Sequence, residues 1–254
     1  MSALTTLLFD VDGTLADTEE IHRKAFDAAF ADAGLDWSWD QALYHGLLQV
    51  TGGRERIRYY LDSYRDAAVT DAVTDEFIAD LHQRKTAHYT RMLAAGEVPL
   101  RPGVERLMQE ALDKGLRLAI VTTTTPVNVT ALLEHSFRSN TRNWFDVIAA
   151  GSVVPNKKPA PDIYDYALQQ LGVAAGQCLA IEDSANGLAA ARAAGVDAII
   201  TVNRYTEDHD FSAALVVLDH LGEPGQPCHL LAGGPAPDGM IDVAYLQRLH
   251  DRNG

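Results

Sequence analysis

The sequence predicts an α/β fold: a doubly wound parallel sheet with an α-helical domain inserted after its first strand. Beyond about residue 102, short apolar strands alternate with helices, which is typical of a parallel sheet covered by helices on both faces. The runs at 116–121 and 178–181 are continuously apolar, as expected for strands buried on both sides. Residues 18–95 show helical periodicity without a convincing strand, and they follow one isolated N-terminal strand.

Local signals place the elements in order. The first apolar run ends at Asp10, and Gly34 is a suitable end for the first helical pattern. Thr125-Pro126 is typical of an N-cap and first helical turn, and Ser184 of a second N-cap. The α/β part is expected to contain strands 4–9, 116–121, 147–150, 178–181, 198–202 and 215–218, and helices 103–114, 161–171, 185–194 and 240–249. Residues 222–239 are rich in Gly and Pro and are expected to form a loop.

These patterns predict two domains in a chain of 254 residues, which is long enough for both. Residues 1–16 and 97–254 are expected to form the α/β domain. Residues 17–96 are expected to form the helical domain. The chain therefore leaves and re-enters the α/β domain at two hinges.

Composition limits the classes of partner. The formal net charge is −14, which disfavours binding to nucleic acid and to anionic membranes. No window is long and apolar enough for a transmembrane helix, and we expect no membrane partner. The two cysteines form no disulfide framework, and neither a signal peptide nor a transit peptide is evident. We expect a cytoplasmic protein, or a stromal one if the host bears plastids.

Polar residues follow the predicted strands at the points where each ends. They are Asp10 and Asp12, Thr122, Lys158, and the pair Glu182 and Asp183. Ligands of parallel α/β sheets bind at these carboxyl ends. Four carboxylates cannot all stay ionised close together without a cation, and hard oxygen ligands suit Mg²⁺. The sequence therefore predicts a Mg²⁺ site that, together with the ammonium of Lys158, could bind a phosphate.

The segments Asp10-Val-Asp12-Gly-Thr, Thr122, Lys158-Pro-Ala-Pro and Glu182-Asp183-Ser resemble, in this order, the four motifs of the haloacid dehalogenase (HAD) superfamily. The match covers about residues 4–205. The resemblance implies a Rossmann-like HAD core, and the helical insertion lies where the family's C1 cap belongs. It also implies an enzyme that transfers phosphoryl groups.

The resemblance implies a role for each motif residue. Asp10 is the nucleophile that forms an aspartyl-phosphate, and Asp12 protonates the leaving alkoxide and then activates water. Asp10, the backbone carbonyl of Asp12 and Asp183 hold Mg²⁺, with Glu182 beside them. The second acid argues against a dehalogenase, because that reaction has no leaving group to protonate.

Some core assignments stay open. The resemblance gives Thr122 and Lys158 to the transferring phosphoryl oxygens. Thr122 lies in a run of four threonines, however, so Thr123 is an alternative. Lys157 is expected to be a bystander beside Lys158. Glu182-Asp183-Ser also fits a plain helix N-cap, and both roles can hold together.

Substrate selectivity is expected from the helical domain and its hinges. The candidate contacts are Glu19, His22, Tyr44, Thr51, Gly52, Gly53, Arg54, Lys85 and Arg101. A Gly-Gly pair followed by Arg suits a turn that approaches an anion. At each charged position the alternative is a solvated helix residue. Trp37 and Trp39 are expected to lie in a core.

Two cationic candidates in the cap predict a substrate with two phosphates, one cleaved and one gripped. The stretches FDVDGTLADTEE, TGGRER and KKPAPDIY resemble those of CbbY-type phosphatases, which are similar in fold to β-phosphoglucomutase. This resemblance implies that the substrate is xylulose 1,5-bisphosphate, which inhibits Rubisco of the Calvin cycle, and that the product is xylulose 5-phosphate. It implies that Glu19, Tyr44 and the turn 51–54 contact substrate, and it favours a monomer.

Four rival functions remain. A phosphomutase would share the aspartyl-phosphate but exclude water, and the Asp17-Thr18 hinge and His22 also resemble that branch. A phosphatase of broad sugar-phosphate specificity is the second rival. A non-catalytic regulator is the third, although all motif residues are present. A phosphonate hydrolase would need a Schiff-base lysine in the cap, for which Lys24 and Lys85 are available.

Overall fold

The computed structural model describes residues 3–96, 98–137 and 141–252. The chain divides into two compact units. The core unit comprises Met1–Asp17 and Val98–Gly254, and the cap unit comprises Thr18–Glu97. The domain boundaries expected from the sequence, after residues 16 and 96, differ from these by one residue.

The core unit contains one sheet of seven strands in the described part of the chain, in the order β3-β2-β1-β4-β5-β6-β7. All neighbours are parallel except β6 and β7. The strands are β1 Thr6–Phe9, β2 Arg117–Thr122, β3 Phe145–Ala150, β4 Cys178–Glu182, β5 Asp197–Thr201, β6 Val216–Leu218 and β7 Leu230–Gly233. The predicted α/β fold with a parallel sheet is confirmed.

Helices surround this sheet or form the cap unit. The cap unit contains α1 Glu19–Asp32, α2 Gln41–Leu47, α3 Gly53–Tyr64, α4 Ala67–Ala72 and α5 Asp75–Ala94. The core unit contains α6 Val104–Asp113, α7 Pro126–Ser136, α8 Asp162–Leu171, α9 Ala185–Ala193 and α10 Val243–Asp251, with 3₁₀ turns at Thr141–Trp144 and Ala175–Gln177. No helix among the described residues is long and apolar enough to cross a membrane.

The central position of β1 follows from its sequence. All four of its residues are buried, and β1 pairs with β2 on one side and β4 on the other. Phe9 is in register with Ile120 of β2 and Ile181 of β4. These strands run parallel, so their carboxyl ends lie at the same edge of the sheet. The sequence expectation that the strand-end residues meet is therefore met for β1, β2 and β4.

Predicted helix starts in the core unit are confirmed. The Thr125 hydroxyl accepts the N–H of Asn128 at 3.4 Å, and Pro126 is the first residue of α7. The Ser184 hydroxyl accepts the N–H of Gly187 at 3.2 Å and begins α9. Such caps satisfy a free amide of the first turn and each contribute about 1 kcal/mol to helix stability.

The expectation of a loop over residues 222–239 is wrong in one place. Leu230–Gly233 forms β7, which pairs antiparallel with β6 at the edge of the sheet. Leu231, Ala232 and Gly233 are exposed, so this strand lacks the apolar run by which a buried strand is recognised. Its conformation depends on hydrogen bonds to β6, which sequence periodicity does not report.

The cap unit packs around a cluster of aromatic rings. Trp39 is fully buried, with its ring centroid 4.6 Å from that of Phe26 and 4.9 Å from that of Phe30. Trp37 lies edge-on to Phe30, and Tyr60 approaches both tryptophans. The prediction that the tryptophans belong to a core is confirmed. Edge-to-face packing of this kind adds about 1 kcal/mol per pair beyond the burial of apolar area.

Candidate active site

The turn after β1 carries the first candidate residues. Asp10 is buried and Asp12 is half-buried in the same turn. Gly13 has φ +81°, a backbone conformation that favours glycine. A Cβ at this position would lie 2.1 Å from Asp183 Oδ2 and 2.6 Å from Asn203 Nδ2. Glycine is therefore required here both for the turn and for its close approach to Asp183.

Lys158 links three strand ends through one buried ammonium. Its Nζ donates to Asp10 Oδ1 at 2.7 Å and to Glu182 Oε1 at 2.6 Å. A third hydrogen bond goes to the carbonyl of Val121 at 2.8 Å, and only 5% of the residue is exposed. All three N–H groups thus have acceptors. Lys157 is half-buried.

Glu182 is the most buried carboxylate of the group, and its two oxygens differ. Oε1 accepts from Lys158 and also from the Tyr164 hydroxyl at 2.5 Å. Oε2 is buried without a hydrogen-bond partner among the described residues. A Cβ on Gly187 would lie 1.9 Å from Oε2, so glycine at this position makes room for the carboxylate. An unsatisfied buried carboxylate oxygen is costly and indicates a missing partner.

The charges at this site are unbalanced. Burial raises the pKa of Asp10 to about 7; Lys158 opposes the rise, and the nearby charges of Glu182 and Asp12 add to it. Burial would lower the pKa of Lys158, but attraction to Asp10 and Glu182 raises it above its usual value. Burial and the neighbouring Glu182 also raise the pKa of Tyr164, which keeps its hydroxyl protonated as a donor. One ammonium therefore faces several carboxyl groups.

Three of these groups are placed to share a cation. Asp10, Glu182 and Asp183 each offer a carboxylate oxygen, and these atoms lie within 4.8 Å of one another. The donor set consists of hard oxygens, and the unpartnered Oε2 of Glu182 lies within it. This chemistry fits Mg²⁺, which binds through one or two carboxylates and retains other oxygen ligands. The side chain of Asp12 is not in this group, and the use of its backbone carbonyl as a ligand stays a prediction.

Asp183 is oriented by a residue that the sequence analysis missed. Asn203 Nδ2 donates to Asp183 Oδ2 at 2.6 Å. Asn203 Oδ1 accepts the N–H of Tyr205 at 2.9 Å, which fixes the direction of the amide. Asn203 follows β5, so its position after the end of a neighbouring strand was the available signal. Tyr164 was missed as well, because it lies within α8 rather than at a strand end.

Two of the remaining core candidates are threonines. Thr122 ends β2, is buried, and its hydroxyl accepts the N–H of Thr124 at 3.3 Å. Thr123 is half-buried. Thr122 is the last residue of the strand that neighbours β1, and Thr123 is the next residue. The choice between them for a phosphoryl contact stays a prediction.

The third remaining core candidate, Arg101, is buried among backbone carbonyls of the core unit. That placement gives no support to a substrate contact.

In the cap unit, hydrogen bonds link the predicted residues Glu19 and Tyr44 to a third residue, Arg56. The Tyr44 hydroxyl donates to Glu19 Oε2 at 2.8 Å, and Arg56 Nη1 donates to the Tyr44 hydroxyl at 3.0 Å. Arg56 is buried, whereas the predicted Arg54 is exposed. The signal for Arg56 was present: it lies on the same face of α3 as Ile57, Tyr60 and Leu61.

The other predicted cap residues fall into two groups. His22 and Lys85 are buried together, with Lys85 Nζ 2.5 Å from His22 Nδ1 and over the rings of Phe26 and Tyr89. Thr51 and Gly52 are half-buried before α3, and Gly52 adopts φ +102° as its N-cap.

Gly53 is the first residue of α3. A Cβ on Gly53 would lie 2.4 Å from the His82 ring, so this glycine is explained by packing within the cap unit. Its use as a substrate contact, like that of the other cap residues, stays a prediction.

Comparisons with known proteins agree with this geometry. The family model of haloacid dehalogenase-like hydrolases matches residues 4–195. The chain is 47% identical over 247 residues to Protein CbbY (plasmid) of Cupriavidus necator, covering 97% of both chains. The crystal structure of a CbbY mutant (D10N) from Rhodobacter sphaeroides in complex with xylulose-(1,5)bisphosphate superposes with a TM-score of 0.80 at 46% identity, covering 85% of this chain and 94% of that one. A β-phosphoglucomutase from Clostridium difficile shares the fold, with a TM-score of 0.74 at 17% identity, covering 98% of each chain.

The family assignment rests on three agreements. The predicted motif order, the convergence of Asp10, Lys158, Glu182 and Asp183, and the match over most of the chain all point the same way. Proteins named CbbY are similar to this chain over nearly its full length. The chain belongs to the haloacid dehalogenase-like hydrolase family and is a phosphatase of the HAD type.

Proposed function

We propose that this enzyme is a Mg²⁺-dependent sugar-bisphosphate phosphatase that converts xylulose 1,5-bisphosphate into xylulose 5-phosphate and phosphate. The observation that carries the proposal is the buried Asp10, held by Lys158 at 2.7 Å beside the carboxylates of Glu182 and Asp183. The xylulose-(1,5)bisphosphate complex of the similar CbbY from Rhodobacter sphaeroides supports the choice of substrate.

The reaction is assigned to groups of the turn after β1. A carboxylate oxygen of Asp10 attacks phosphorus while the bond from phosphorus to the sugar oxygen breaks, and Asp12 gives that oxygen its proton. Water then attacks the aspartyl-phosphate, Asp12 accepts a proton from it, and inorganic phosphate leaves as the Asp10 carboxylate is restored. The phosphoryl group is thus transferred first to Asp10 and then to water, after which Asp10 and Asp12 are back in their starting protonation states.

Lys158 performs two tasks in this scheme. Its hydrogen bond to Asp10 Oδ1 orients the nucleophile and leaves Oδ2 as the oxygen that the ammonium does not engage. Its charge lies where the transferring phosphoryl group gains negative charge. Thr122, or Thr123 in the alternative register, supplies a further donor. Phosphoryl transfer depends mostly on such positioning and charge neutralisation, because the protein has little covalent chemistry to perform.

Asp10, Asp183 and the backbone carbonyl of Asp12 would hold the metal, with Glu182 beside them. When bound, Mg²⁺ supplies positive charge that neutralises the carboxylates and the phosphoryl oxygens. Two observations among the described residues support this assignment: the carboxyl groups outnumber the ammonium of Lys158, and Oε2 of Glu182 has no hydrogen-bond partner.

The second phosphate of the substrate is assigned to the cap unit. Arg56 is a buried guanidinium whose Nε has no hydrogen-bond partner among the described residues. Among the described residues, its guanidinium donates to the hydroxyl of Tyr44, a neutral group, and that hydroxyl in turn donates to Glu19. A buried guanidinium that is not directly paired with a carboxylate favours an anionic ligand such as phosphate. Glu19, through Tyr44, would orient this group.

The test is phosphate release by the purified protein from xylulose 1,5-bisphosphate, with Mg²⁺ and with EDTA. Ribulose 1,5-bisphosphate and β-glucose 1-phosphate serve as comparison substrates. Mg²⁺-dependent release that is strongly selective for the xylulose compound is expected. Comparable release from all three would identify a broad phosphatase. Formation of glucose 6-phosphate without phosphate release would identify a mutase.

A further inference from the structure

Arg101 occupies an unusual position for a charged residue. It lies shortly before α6, where the chain re-enters the core unit, and only 8% of it is exposed. Its guanidinium donates to backbone carbonyls of Gly13, Thr201, Val202 and Asp219. Its nearest carboxylate is Asp17, whose Oδ1 lies 3.4 Å from Nε and whose side chain is mostly exposed.

These four carbonyls belong to three separate parts of the chain. Gly13 lies in the turn after β1, Thr201 and Val202 at the end of β5, and Asp219 after β6. The distances are 2.9 Å to Thr201 O, 2.5 Å to Val202 O and 2.6 Å to Asp219 O. A planar guanidinium with donors in a rigid fork can hold several acceptors in a fixed arrangement. The side chain therefore joins the turn after β1 to the carboxyl ends of two other strands.

The backbone of Arg101 holds the same turn. Its N–H donates to Leu15 O at 2.9 Å, and Leu100 bridges to Ala16. The turn closes on itself through Gly13 N–H to Ala16 O at 2.9 Å. Arg101 thus contacts both ends of the segment 13–15 that directly follows Asp12.

We propose that Arg101 is a positioning residue for Asp12, acting through the Gly13 carbonyl, rather than a contact of the substrate. The inference rests on the proposed function, in which Asp12 transfers the proton. Fixing the Gly13 carbonyl fixes the adjoining backbone of Asp12 and so limits where its carboxyl group can lie. A shift of about 1 Å in such a group can lower the rate about 100-fold.

The chain offers a matched control in Arg106. Its guanidinium also donates to backbone carbonyls of the core unit, those of Leu221, Gly222 and Ile241, at 3.2, 3.0 and 2.8 Å. None of these acceptors belongs to the turn after β1. Removing Arg106 therefore removes comparable arginine–carbonyl bonds while leaving the contacts of Gly13 in place.

The experiment compares R101M, R101K and R106M with wild type. Values of kcat and KM are measured with Mg²⁺ on xylulose 1,5-bisphosphate and on p-nitrophenyl phosphate, alongside Tm. We expect R101M to lose about 10- to 100-fold in kcat on the bisphosphate, with KM changed less than about threefold. R101K should fall between R101M and wild type. R106M should lower Tm while keeping kcat within about twofold.

Other outcomes would overturn the inference. A raised KM with unchanged kcat in R101M would return Arg101 to the substrate site. An equal loss of kcat in R106M would make both arginines merely structural, and an unchanged kcat in R101M would remove any positioning role.

A wild type that releases phosphate from neither compound would refute the proposed function instead. Arg101 is then tested by hydrogen exchange at the amides of Thr14 and Leu15, which should accelerate in R101M and not in R106M. Equal exchange in the two variants would refute the contact itself.

Discussion

Two buried cations, Lys158 in the core unit and Arg56 in the cap unit, differ in what neutralises them. Lys158 donates to the carboxylates of Asp10 and Glu182 as well as to a carbonyl. Arg56 donates to the Tyr44 hydroxyl, and its Nε has no partner among the described residues. Among the described residues, the core site therefore holds more carboxyl groups than Lys158 alone can neutralise, whereas Arg56 makes no direct ion pair and reaches the carboxylate of Glu19 only through Tyr44.

This difference predicts the charge of the ligand that each site would bind. Burying an ion without its counter-charge costs several kcal/mol, so the excess charge of each site favours a ligand of opposite charge. Under the proposed function, the carboxylates around Lys158 would bind a divalent cation, and Arg56 would bind an anion. Substitutions at either site therefore test this difference.

The largest effect is expected from Asp10→Asn, which replaces the nucleophile with a neutral side chain of the same shape. Turnover should fall by about 10⁴-fold or more, because an amide cannot form the phosphorylated intermediate. Phosphate release with Mg²⁺ is the measurement. Asp113→Asn, on the exposed end of α6, is the control and should keep wild-type turnover. Substantial activity in Asp10→Asn would disprove the assignment of the nucleophile.

Arg56→Met tests the proposed phosphate-binding role of Arg56 in the cap unit. It should raise KM for a sugar bisphosphate about 10- to 100-fold, the equivalent of one charge-assisted hydrogen bond of about 1.5–3 kcal/mol. KM for a monophosphate should change much less. Arg54→Met is the matched control because Arg54 is exposed on the first turn of the same helix. If Arg54→Met raised KM and Arg56→Met did not, the anion site would lie at the position that the sequence predicted.

Asn203→Ala tests the proposed metal site by removing the side chain that orients Asp183. Loss of the Nδ2 donor to Asp183 should weaken Mg²⁺ binding about tenfold, because groups that orient a metal ligand tune its affinity. Calorimetric titration of the metal-free protein with Mg²⁺ measures this without turnover. Asn156→Ala removes a similar amide contact, to Asp162 Oδ2 at 2.8 Å, on the surface, and should leave the affinity unchanged. Equal affinities in both variants would argue against Asp183 as a ligand.

The smallest effect is expected in the pH dependence of stability without metal. In the folded protein the pKa of Asp10 is raised from 3.8 to about 7, chiefly by burial. Folded chains then hold a proton that unfolded chains have already released, so this group's stabilisation is lost as the pH rises from about 4 to 7. In EDTA, the Tm of wild type should therefore fall relative to that of Asp10→Asn over this range. Parallel pH curves for the two proteins would contradict the raised pKa.

Much of the core site could be predicted from the sequence because its residues directly follow strands. A strand end fixes both the place and the direction of the next few residues, so Asp10, Thr122, Glu182 and Asp183 could be assigned to one edge of the sheet. Lys158 followed from its place in the loop after another strand. The fold class came from the same source, the alternation of apolar strands with helices. The resemblance to the HAD family implied the chemical role of each of these residues.

The partners of those residues were decided by tertiary structure. Tyr164 reaches Glu182 from a helix, and Asn203 reaches Asp183 from the loop after β5, through contacts between residues about 20 positions apart. Local spacing does not encode such pairs. Arg101 shows the same limit: as a cation near a hinge it predicted a substrate contact, but its surroundings are carbonyls from distant segments.

Arg54 and Arg56 show most simply why the sequence alone does not decide which cation is buried. Both are cations two residues apart on α3, and an α-helix turns about 100° per residue, so they point in widely different directions. The sequence by itself determined that a cation follows the Gly-Gly turn, and it determined the motif acids and the sheet that presents them. Only the packing of α3 decided which arginine is buried beside Tyr44, because burial depends on neighbours supplied by the rest of the cap unit.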